Sequence, residues 1–276
     1  MIVTAILDNR SISFAMFLPD ESVEKTTPAA SFRIAAYPAR TADEYEALLA
    51  SMPAWRLTEA HDVEAVVLAS VVPALTDELR AALARLLPQA ACLVVGAGLR
   101  TGFTIHTDSP AELGADLVAN VSGALTVLKP PFLVLHCGAV TTLCAVDGGE
   151  ESPLFAGCCI LPGLSLNAAA LRDGAALLSA VSLSAPRRAI GTNSADSMRA
   201  GLVFGHVAAI RGLIARFEEE LGKKNLPIAV TGEEAELLLP LAELHASCEK
   251  HLAHKGLYRI AVLNTAKIEK AHKRDR

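Results

Sequence analysis

SPAELGADLVAN, at residues 109–120, is the most informative stretch of this chain. Its pattern predicts a helix from Ala111 to Leu128, in which Asp116 falls within an acidic first turn. A carboxylate in that position gains about 0.5 kcal/mol from the positive end of the helix dipole. The residues themselves are therefore consistent both with an ordinary helix start and with a carboxylate placed for chemistry.

Strands and helices alternate in the same order on both sides of this helix. Before it, a strand hairpin is followed by further elements, predicted at 2–7, 12–17, 31–35, 41–45, 66–72, 75–87 and 91–95. After it, a similar order is predicted at 132–136, 141–146, 157–162, 164–178, 194–221, 227–230 and 233–239. Thr41 followed by Glu44 predicts a capping box at the start of the first helix.

This repeated order indicates an α/β fold of two stacked domains. We place the N-terminal domain at residues 1–117 and the C-terminal domain at residues 118–276. The cleft between two such domains is where a ligand is expected.

Composition excludes several classes of partner. The chain has 25 Lys and Arg against 30 Asp and Glu, and this acidic balance argues against nucleic acid. Six cysteines without a C-x-x-C pair indicate reduced thiols in a cytoplasmic protein rather than a metal site. Polar, Gly or Pro residues interrupt the apolar runs, and the N-terminus lacks a signal pattern, so we expect no membrane contact.

Short fragments along the whole chain resemble, in order and at fitting spacing, the motifs of one family. They are FRI at 32–34, RTADEY at 40–45, SVVP at 70–73, SPAELGADLVAN at 109–120, GAVTT at 138–142, GCCILPG at 157–163, IGTNS at 190–194, SMRAG at 197–201, TG at 231–232 and KGL at 255–257. The chain is thereby identified as resembling the type III pantothenate kinases of the acetate and sugar kinase/actin superfamily.

The resemblance carries expectations about fold and activity. It implies two ribonuclease H-like domains with a cleft between them, a homodimer, and transfer of the γ-phosphoryl group of ATP to pantothenate in coenzyme A biosynthesis. It also implies Mg²⁺ and a monovalent cation, K⁺ or NH₄⁺, as cofactors.

The resemblance also assigns residues around the acceptor. Asp116 matches the catalytic base, and Gly114 and Ala115 match the substrate-binding residues before it. Leu117 stands where the family has an Arg, which removes a bidentate donor that Leu cannot replace. Two further substrate positions are changed, with Thr107 in place of a Tyr and Ala175 in place of a Thr.

The N-terminal phosphate motif, D-x-G-N-T in the family, has two possible alignments over residues Ile6, Leu7, Asp8, Asn9, Arg10 and Ser11. Without a gap, Ile6 stands at the Asp, and Asp8 stands at the Gly. A slip of two residues puts Asp8 at the Asp, on the same face of the strand, but puts Arg10 at the Gly. Arg10 is also a candidate for direct contact with a phosphate.

The second phosphate motif and the adenosine motif are changed as well. His136 stands at the Asp that helps to hold the monovalent cation, and imidazole is a poor ligand for an alkali cation. Ala139 replaces a Thr hydroxyl near ATP, and Glu233 replaces a Gly near the adenosine.

These changes leave the enzymatic activity open, although the family favours a kinase. Loss of one charge-stabilising group costs about 100-fold to 1,000-fold in rate, and several such positions differ here. Two alternatives are a catalytically inactive homologue with a binding or regulatory role, and a related kinase with another small hydroxyl substrate.

Overall fold

The predicted N-terminal hairpin is present in the computed structural model, which describes residues 1–19, 22–23, 26–175 and 178–274. Strand β1 (Ile2–Leu7) pairs antiparallel with β2 (Ser11–Phe17) and parallel with β4 (Ala65–Ser70). Strand β3 (Ala30–Ala35) adds to β2, and β5 (Ala91–Val94) adds to β4. The sheet order is β3-β2-β1-β4-β5.

The second sheet repeats this topology. Its first three strands are consecutive and antiparallel: β7 (Phe132–Cys137), β8 (Val140–Gly149) and β9 (Ser152–Pro162). Two parallel strands, β10 (Ile228–Thr231) and β11 (Ala246–Cys248), continue from β7. The strand order in this part of the second sheet is β9-β8-β7-β10-β11, which is the same order as β3-β2-β1-β4-β5 in the first. The predicted repeat of strands is therefore confirmed.

Helices cover these sheets. Those before residue 128 are α1 (Ala42–Ser51), α2 (Arg56–Ala60), α3 (Pro73–Leu86) and α4 (Ala115–Ala124). The later ones are α5 (Leu164–Gly174), α6 (Ser194–Glu220), α7 (Ala235–Ala242), α8 (Leu252–Leu263) and α9 (Thr265–Arg274). A two-residue strand, β6 (Thr104–Ile105), precedes α4.

Side-chain packing explains why these elements form. Alternate residues of β1 and β4 enter two different cores, with Leu68 in the core beneath α1 and α3, and Val67 in the core beneath α8. In the second sheet, Leu133 of β7 packs with Ile210 of α6. Each fully buried aliphatic side chain of this kind contributes about 1.5–3 kcal/mol to folding.

The helix boundaries confirm some predictions and correct others. The Thr41–Glu44 capping box is present, with both side-chain to backbone bonds made. The helix predicted from Ala111 to Leu128 is shorter at both ends and spans Ala115–Ala124. It begins later because Pro110–Glu112 forms a separate 3-10 turn. Helix α5 ends at Gly174 rather than at residue 178, and residues 176–177 of that prediction lie outside the described residues.

Contacts divide the chain into unit 1, Met1–Val127 with His251–Arg276, and unit 2, Leu128–Lys250. Unit 1 includes the C-terminal helices because α8 packs tightly on α4. A β-carbon on Gly256 would collide with the carbonyl oxygen of Ala119, and one on Gly123 would collide with that of Leu252. These units have other boundaries than the predicted domains, 1–117 and 118–276. The two predicted domains and the ligand-binding cleft expected between them stay predictions.

Helix α6 of unit 2 is the one described helix that is long and apolar enough, by length and composition alone, to cross a membrane. The core helices of soluble proteins pass the same test, and Val207, Ile210 and Ile214 of α6 pack in the core of unit 2. The expectation of no membrane contact stays a prediction.

Candidate active site

Asp116 occupies the first turn of α4, where its carboxylate lies over the α-carbon of Gly114. A β-carbon added to Gly114 would come to 2.5 Å from Oδ1 of Asp116. Gly114 is the N-cap residue and makes no side-chain cap, so the carboxylate is next to unpaired amide groups of the helix end. Asp116 is half-buried, and within the described residues its carboxylate has no hydrogen-bonding or ionic partner. Gly114 and the carboxylate of Asp116 are thus in contact, and the roles that the resemblance assigns to them stay predictions.

The remaining predicted acceptor residues differ in their surroundings. Leu117 is buried, and Ala115 is half-buried in the first turn of α4. The hydroxyl oxygen of Thr107 is buried and, within the described residues, has no hydrogen-bond partner. Ala175 follows the last residue of α5, where its carbonyl oxygen accepts a hydrogen bond from the amide of Leu178 at 2.9 Å. A buried hydroxyl without a partner leaves hydrogen-bonding capacity for a polar ligand.

The carboxylate of Asp8 closes the turn between β1 and β2. Its Oδ1 accepts hydrogen bonds from the amides of Arg10 at 2.6 Å and Ser11 at 2.8 Å, and its Oδ2 accepts from the Ser11 hydroxyl at 3.0 Å. An Asp side chain commonly stabilises a turn in this way. Most of the hydrogen-bonding capacity of Asp8 is therefore used within its own turn, and one lone pair of Oδ2 stays available.

The other residues of the N-terminal motif face different environments. Leu7 is fully buried in a core of unit 1, and Ile6 is half-buried against another. Asn9 and Arg10 are exposed at the tip of the turn. Both alignments of this motif stay predictions.

His136 and Gly138 are in contact in unit 2. His136 is the fifth residue of β7, and its imidazole covers the α-carbon of Gly138, so that a β-carbon there would lie 2.6 Å from Cε1. Ala139 follows, and its carbonyl oxygen accepts a hydrogen bond from the amide of Gly163 at 3.0 Å. Beside His136 across the sheet, Oγ1 of Thr142 is buried and has no hydrogen-bond partner in the described part of the chain.

Glu234 was not identified from the sequence, which pointed to its neighbour Glu233. Its carboxylate accepts hydrogen bonds at the start of α5 from the amides of Leu164 at 2.8 Å and Ser165 at 3.0 Å, and from the Ser165 hydroxyl at 2.9 Å. Gly232 allows this approach, since its φ of +105° and its contact with the Cys137 carbonyl exclude a side chain. The negative charge of Glu234 thus occupies the anion-attracting end of α5.

His206 is a second residue that the sequence did not reveal. Its Nε2 shares a hydrogen bond of 3.0 Å with Oγ1 of Thr141, and burial lowers the pKa of His206 against the opposing effect of Glu234. It borders a cavity of about 1070 Å³ within unit 2, between α5, α6 and the end of β9. An uncharged histidine beside a large cavity can accept or donate one hydrogen bond to a polar ligand.

The residues present fit ATP with Mg²⁺ better than they fit a monovalent cation. No group of three or more metal-binding side chains occurs among the described residues. Mg²⁺ that arrives with a nucleotide needs only one or two carboxylates, since phosphate and water complete its shell. Asp8 offers one remaining lone pair of Oδ2 for that purpose and Asp116 offers its carboxylate, whereas His136 offers imidazole to an alkali cation.

Comparison with known proteins gives the family. Residues 8–216 match the family profile described as type III pantothenate kinase. A protein named type III pantothenate kinase from Shouchella clausii is 34% identical over 81% of this chain and 83% of its own length. One of the same name from Moorella thermoacetica is 33% identical over 85% of this chain and 90% of its own.

Solved structures agree on the fold. A protein assigned to the Baf family of transcriptional activators, from Campylobacter jejuni, has a TM-score of 0.56 at 16% identity and covers 96% of this chain and 99% of its own. One assigned as a 2-dehydro-3-deoxygalactonokinase, from Sinorhizobium meliloti, has a TM-score of 0.52 at 12% identity and covers 97% and 99%. The fold is that of the acetate and sugar kinase/actin superfamily, and on the profile and the curated relatives together the chain belongs to the type III pantothenate kinase family.

Proposed function

We propose that this chain transfers the γ-phosphoryl group of ATP to the hydroxyl of pantothenate, which yields 4′-phosphopantothenate for coenzyme A biosynthesis. The observation that carries the proposal is the half-buried carboxylate of Asp116 over Gly114. Phosphoryl transfer needs a group that accepts the proton of the attacking hydroxyl, and Asp116 is the matched residue for that role.

In the proposed mechanism, Asp116 orients the acceptor hydroxyl and accepts its proton as the hydroxyl oxygen bonds to phosphorus. By the resemblance, the turn of residues 8–11 and the turn at Gly138 and Ala139 each belong to a phosphate motif. In the first turn the amides of Arg10 and Ser11 are bonded to Asp8, so phosphate contact through the backbone there falls to the amide of Asn9. Mg²⁺, when bound, neutralises charge on the phosphates. By the resemblance, Thr107, Ala115, Leu117 and Ala175 match acceptor-binding positions, and the absence of an Arg at position 117 weakens the hold on pantothenate.

We propose that the reaction does not depend on K⁺ or NH₄⁺, in contrast to the expectation from the resemblance. The imidazole of His136 covers Gly138 in the place where a carboxylate would hold the cation. Replacing K⁺ with Na⁺ should therefore leave the rate unchanged in the natural protein. The variant His136→Asp should respond to K⁺, and a strong K⁺ response of the natural protein would overturn this point.

An inactive homologue is the second candidate, and two contacts favour it. The carboxylate of Asp8 is engaged within its own turn, and that of Glu234 covers the start of α5. By the resemblance, Asp8 belongs to the phosphate motif and Glu234 is next to the adenosine motif, so each places a negative charge in or beside a motif that would bind a polyanion. The changes at Thr107, Leu117 and Ala175 support a third candidate, a kinase with another small hydroxyl acceptor.

The experiment is a coupled ADP-release assay with ATP, Mg²⁺ and pantothenate, beside the variant Asp116→Asn. The matched control is Asp77→Asn, since Asp77 is exposed on α3 and pairs only weakly with Arg80 at 3.7 Å. Pantothenate-dependent release that is lost in Asp116→Asn and kept in Asp77→Asn supports the kinase. No release from folded protein at high enzyme concentration supports the inactive homologue.

Oligomeric state and location are part of the same proposal. Membership of the family supports a cytoplasmic homodimer with a small-molecule substrate, without nucleic acid or membrane as partners. Light scattering coupled to size exclusion tests the dimer, and a monomer across a range of concentrations would contradict it.

A further inference from the structure

Two cysteines face each other across strands β8 and β9 of unit 2. In this antiparallel pair, Cys144 is the register partner of Cys158. Directly opposed residues of an antiparallel pair place their side chains on the same face of the sheet. Both cysteines are reduced thiols in the structure. The register therefore brings two thiols together that are 14 positions apart in the sequence.

The distance between the two cysteines depends on whether they form a hydrogen-bonded or a non-hydrogen-bonded pair of the antiparallel ladder. The amide of Gly163 donates to the carbonyl of Ala139 at 3.0 Å, just beyond the Val140–Pro162 pair. Because Pro162 has no N–H group, Val140 and Pro162 form a non-hydrogen-bonded pair. Pair types alternate along the strands, so Thr142–Ile160 and Cys144–Cys158 are of the same type, and the register shift falls only after Ala145.

Non-hydrogen-bonded pairs are the close ones. Their α-carbons are about 4.5 Å apart, against about 5.5 Å for hydrogen-bonded pairs. Disulfides form between α-carbons about 4.4–6.8 Å apart. The Cys144–Cys158 pair thus lies within the range for a disulfide without movement of the strands.

The two thiols differ in access to solvent. Cys158 is exposed, while Cys144 is buried at 1% relative exposure. A reagent reaches Cys158 first, and Cys144 is then the neighbour that resolves the adduct. Cys159 faces the opposite side of the sheet, where it lies opposite Leu143 and packs against the core of unit 2. Burial there raises the pKa of the Cys159 thiol.

We propose that Cys144 and Cys158 form a reversible redox site, which closes to a cross-strand disulfide with a small-molecule disulfide such as oxidised glutathione. The Cys158 thiolate attacks one glutathione sulfur, forms a mixed disulfide and releases one reduced glutathione. The Cys144 thiolate then attacks Sγ of Cys158 and releases the second. Two protein thiols are oxidised and one glutathione disulfide is reduced, so protons and electrons balance.

The bond would link the two strands close to the candidate active site. It would join β8 two residues after Thr142, and β9 five residues before Gly163. This redox site is independent of whether the chain is a kinase.

The experiment treats the reduced full-length protein with oxidised glutathione, then alkylates remaining thiols and measures intact mass and non-reduced peptides. The expected result is a mass loss of about 2 Da before alkylation, the two hydrogens of a new disulfide, and one peptide pair linked through Cys144 and Cys158. Dithiothreitol should restore the reduced mass.

Three variants make the test specific. Cys158→Ser, at an exposed position, should fold and lose the disulfide, while Cys159→Ser and Cys92→Ser should keep it. A stable glutathione adduct on Cys158 without ring closure would overturn the proposal. So would a disulfide that joins Cys158 to another cysteine, or persistence of the mass loss in Cys158→Ser.

Discussion

The carboxylate of Asp116 occupies the space that a side chain at Gly114 would need, with a β-carbon there only 2.5 Å from Oδ1. The backbone of Gly114, at φ −56° and ψ 137°, is one that any residue adopts. A side chain at this position would therefore displace the carboxylate without straining the backbone.

Gly114→Ala is accordingly predicted to displace the Asp116 carboxylate and to lower kcat by about 100-fold, the cost of a misplacement of about 1 Å. The free energy of unfolding should change by less than about 1 kcal/mol, since only a capping residue is altered. Steady-state kinetics and urea unfolding measure the two effects. Gly149→Ala is the control, because a β-carbon at Gly149 meets nothing within 4 Å.

Full activity in Gly114→Ala would show that the position of the Asp116 carboxylate does not limit the reaction. Equal loss in Gly149→Ala would show that the effect is not specific to the site.

The contact between α4 and α8 gives a prediction about stability. Gly256→Ala places a methyl group against the carbonyl of Ala119 and 2.7 Å from the amide of Gly123. Overpacking against backbone costs about 1–3 kcal/mol or more, so the urea midpoint should fall clearly. Gly212→Ala, at an exposed position of α6 with open space around its α-carbon, should instead gain about 0.5–1 kcal/mol. An unchanged midpoint in Gly256→Ala would contradict the close packing.

Glu234 provides a test of the helix end that it caps. Glu234→Ala removes the acceptor of two amides and one hydroxyl at the start of α5, and we expect a loss of about 1–2 kcal/mol in the free energy of unfolding. Glu234→Gln keeps one oxygen acceptor and should lose less. The exposed Glu236→Ala is the control. Equal stability of Glu234→Ala and Glu236→Ala in urea would show that the cap contributes nothing.

His254 of α8 gives a prediction about pH. Thr4 donates its hydroxyl proton to the Ala15 carbonyl at 3.1 Å, so Nδ1 of His254 must donate to Oγ1 of Thr4 at 2.8 Å. Its Nε2 then accepts from the Ser13 hydroxyl at 3.1 Å. Burial, with smaller effects of His251 and Arg33, lowers the pKa of His254 from 6.5 to about 3.

The unfolded chain therefore binds a proton at His254 that the folded chain does not, between about pH 6.5 and pH 3. His254 should lower stability as the pH falls through this window, by at most about 1.4 kcal/mol per pH unit, and should have no effect above it. Urea unfolding of the natural protein and of His254→Gln, at about pH 7 and pH 5, measures the difference in slope. His61→Gln, at an exposed histidine, is the control. Parallel pH profiles for the natural protein and His254→Gln would contradict this assignment.

The sequence predicts local features of this chain better than those that depend on packing. The Thr41–Glu44 cap and the N-terminal hairpin follow from neighbouring residues and were confirmed. Helix α8 and its contact with α4 depend on Gly256 and Gly123, which are far apart in sequence, and no local pattern reveals such a contact.

The same distinction holds at the candidate site. Gly114 and Asp116 are close in sequence, and their contact follows from the start of one helix. The contact of Glu234 with α5 depends instead on the positive φ of Gly232 and on the return of the chain, which no local pattern reveals. The pairing of Cys144 with Cys158 depends on strand register, which the sequence pattern did not define.

The central claim is that pantothenate is the phosphoryl acceptor, and identification of the product by ³¹P NMR tests it most directly. ATP, Mg²⁺, pantothenate and the natural protein should give a phosphomonoester signal that coincides with authentic 4′-phosphopantothenate, and Asp116→Asn should give none. ATP left intact by folded protein, or a phosphomonoester that forms only with another hydroxyl compound, would contradict the account.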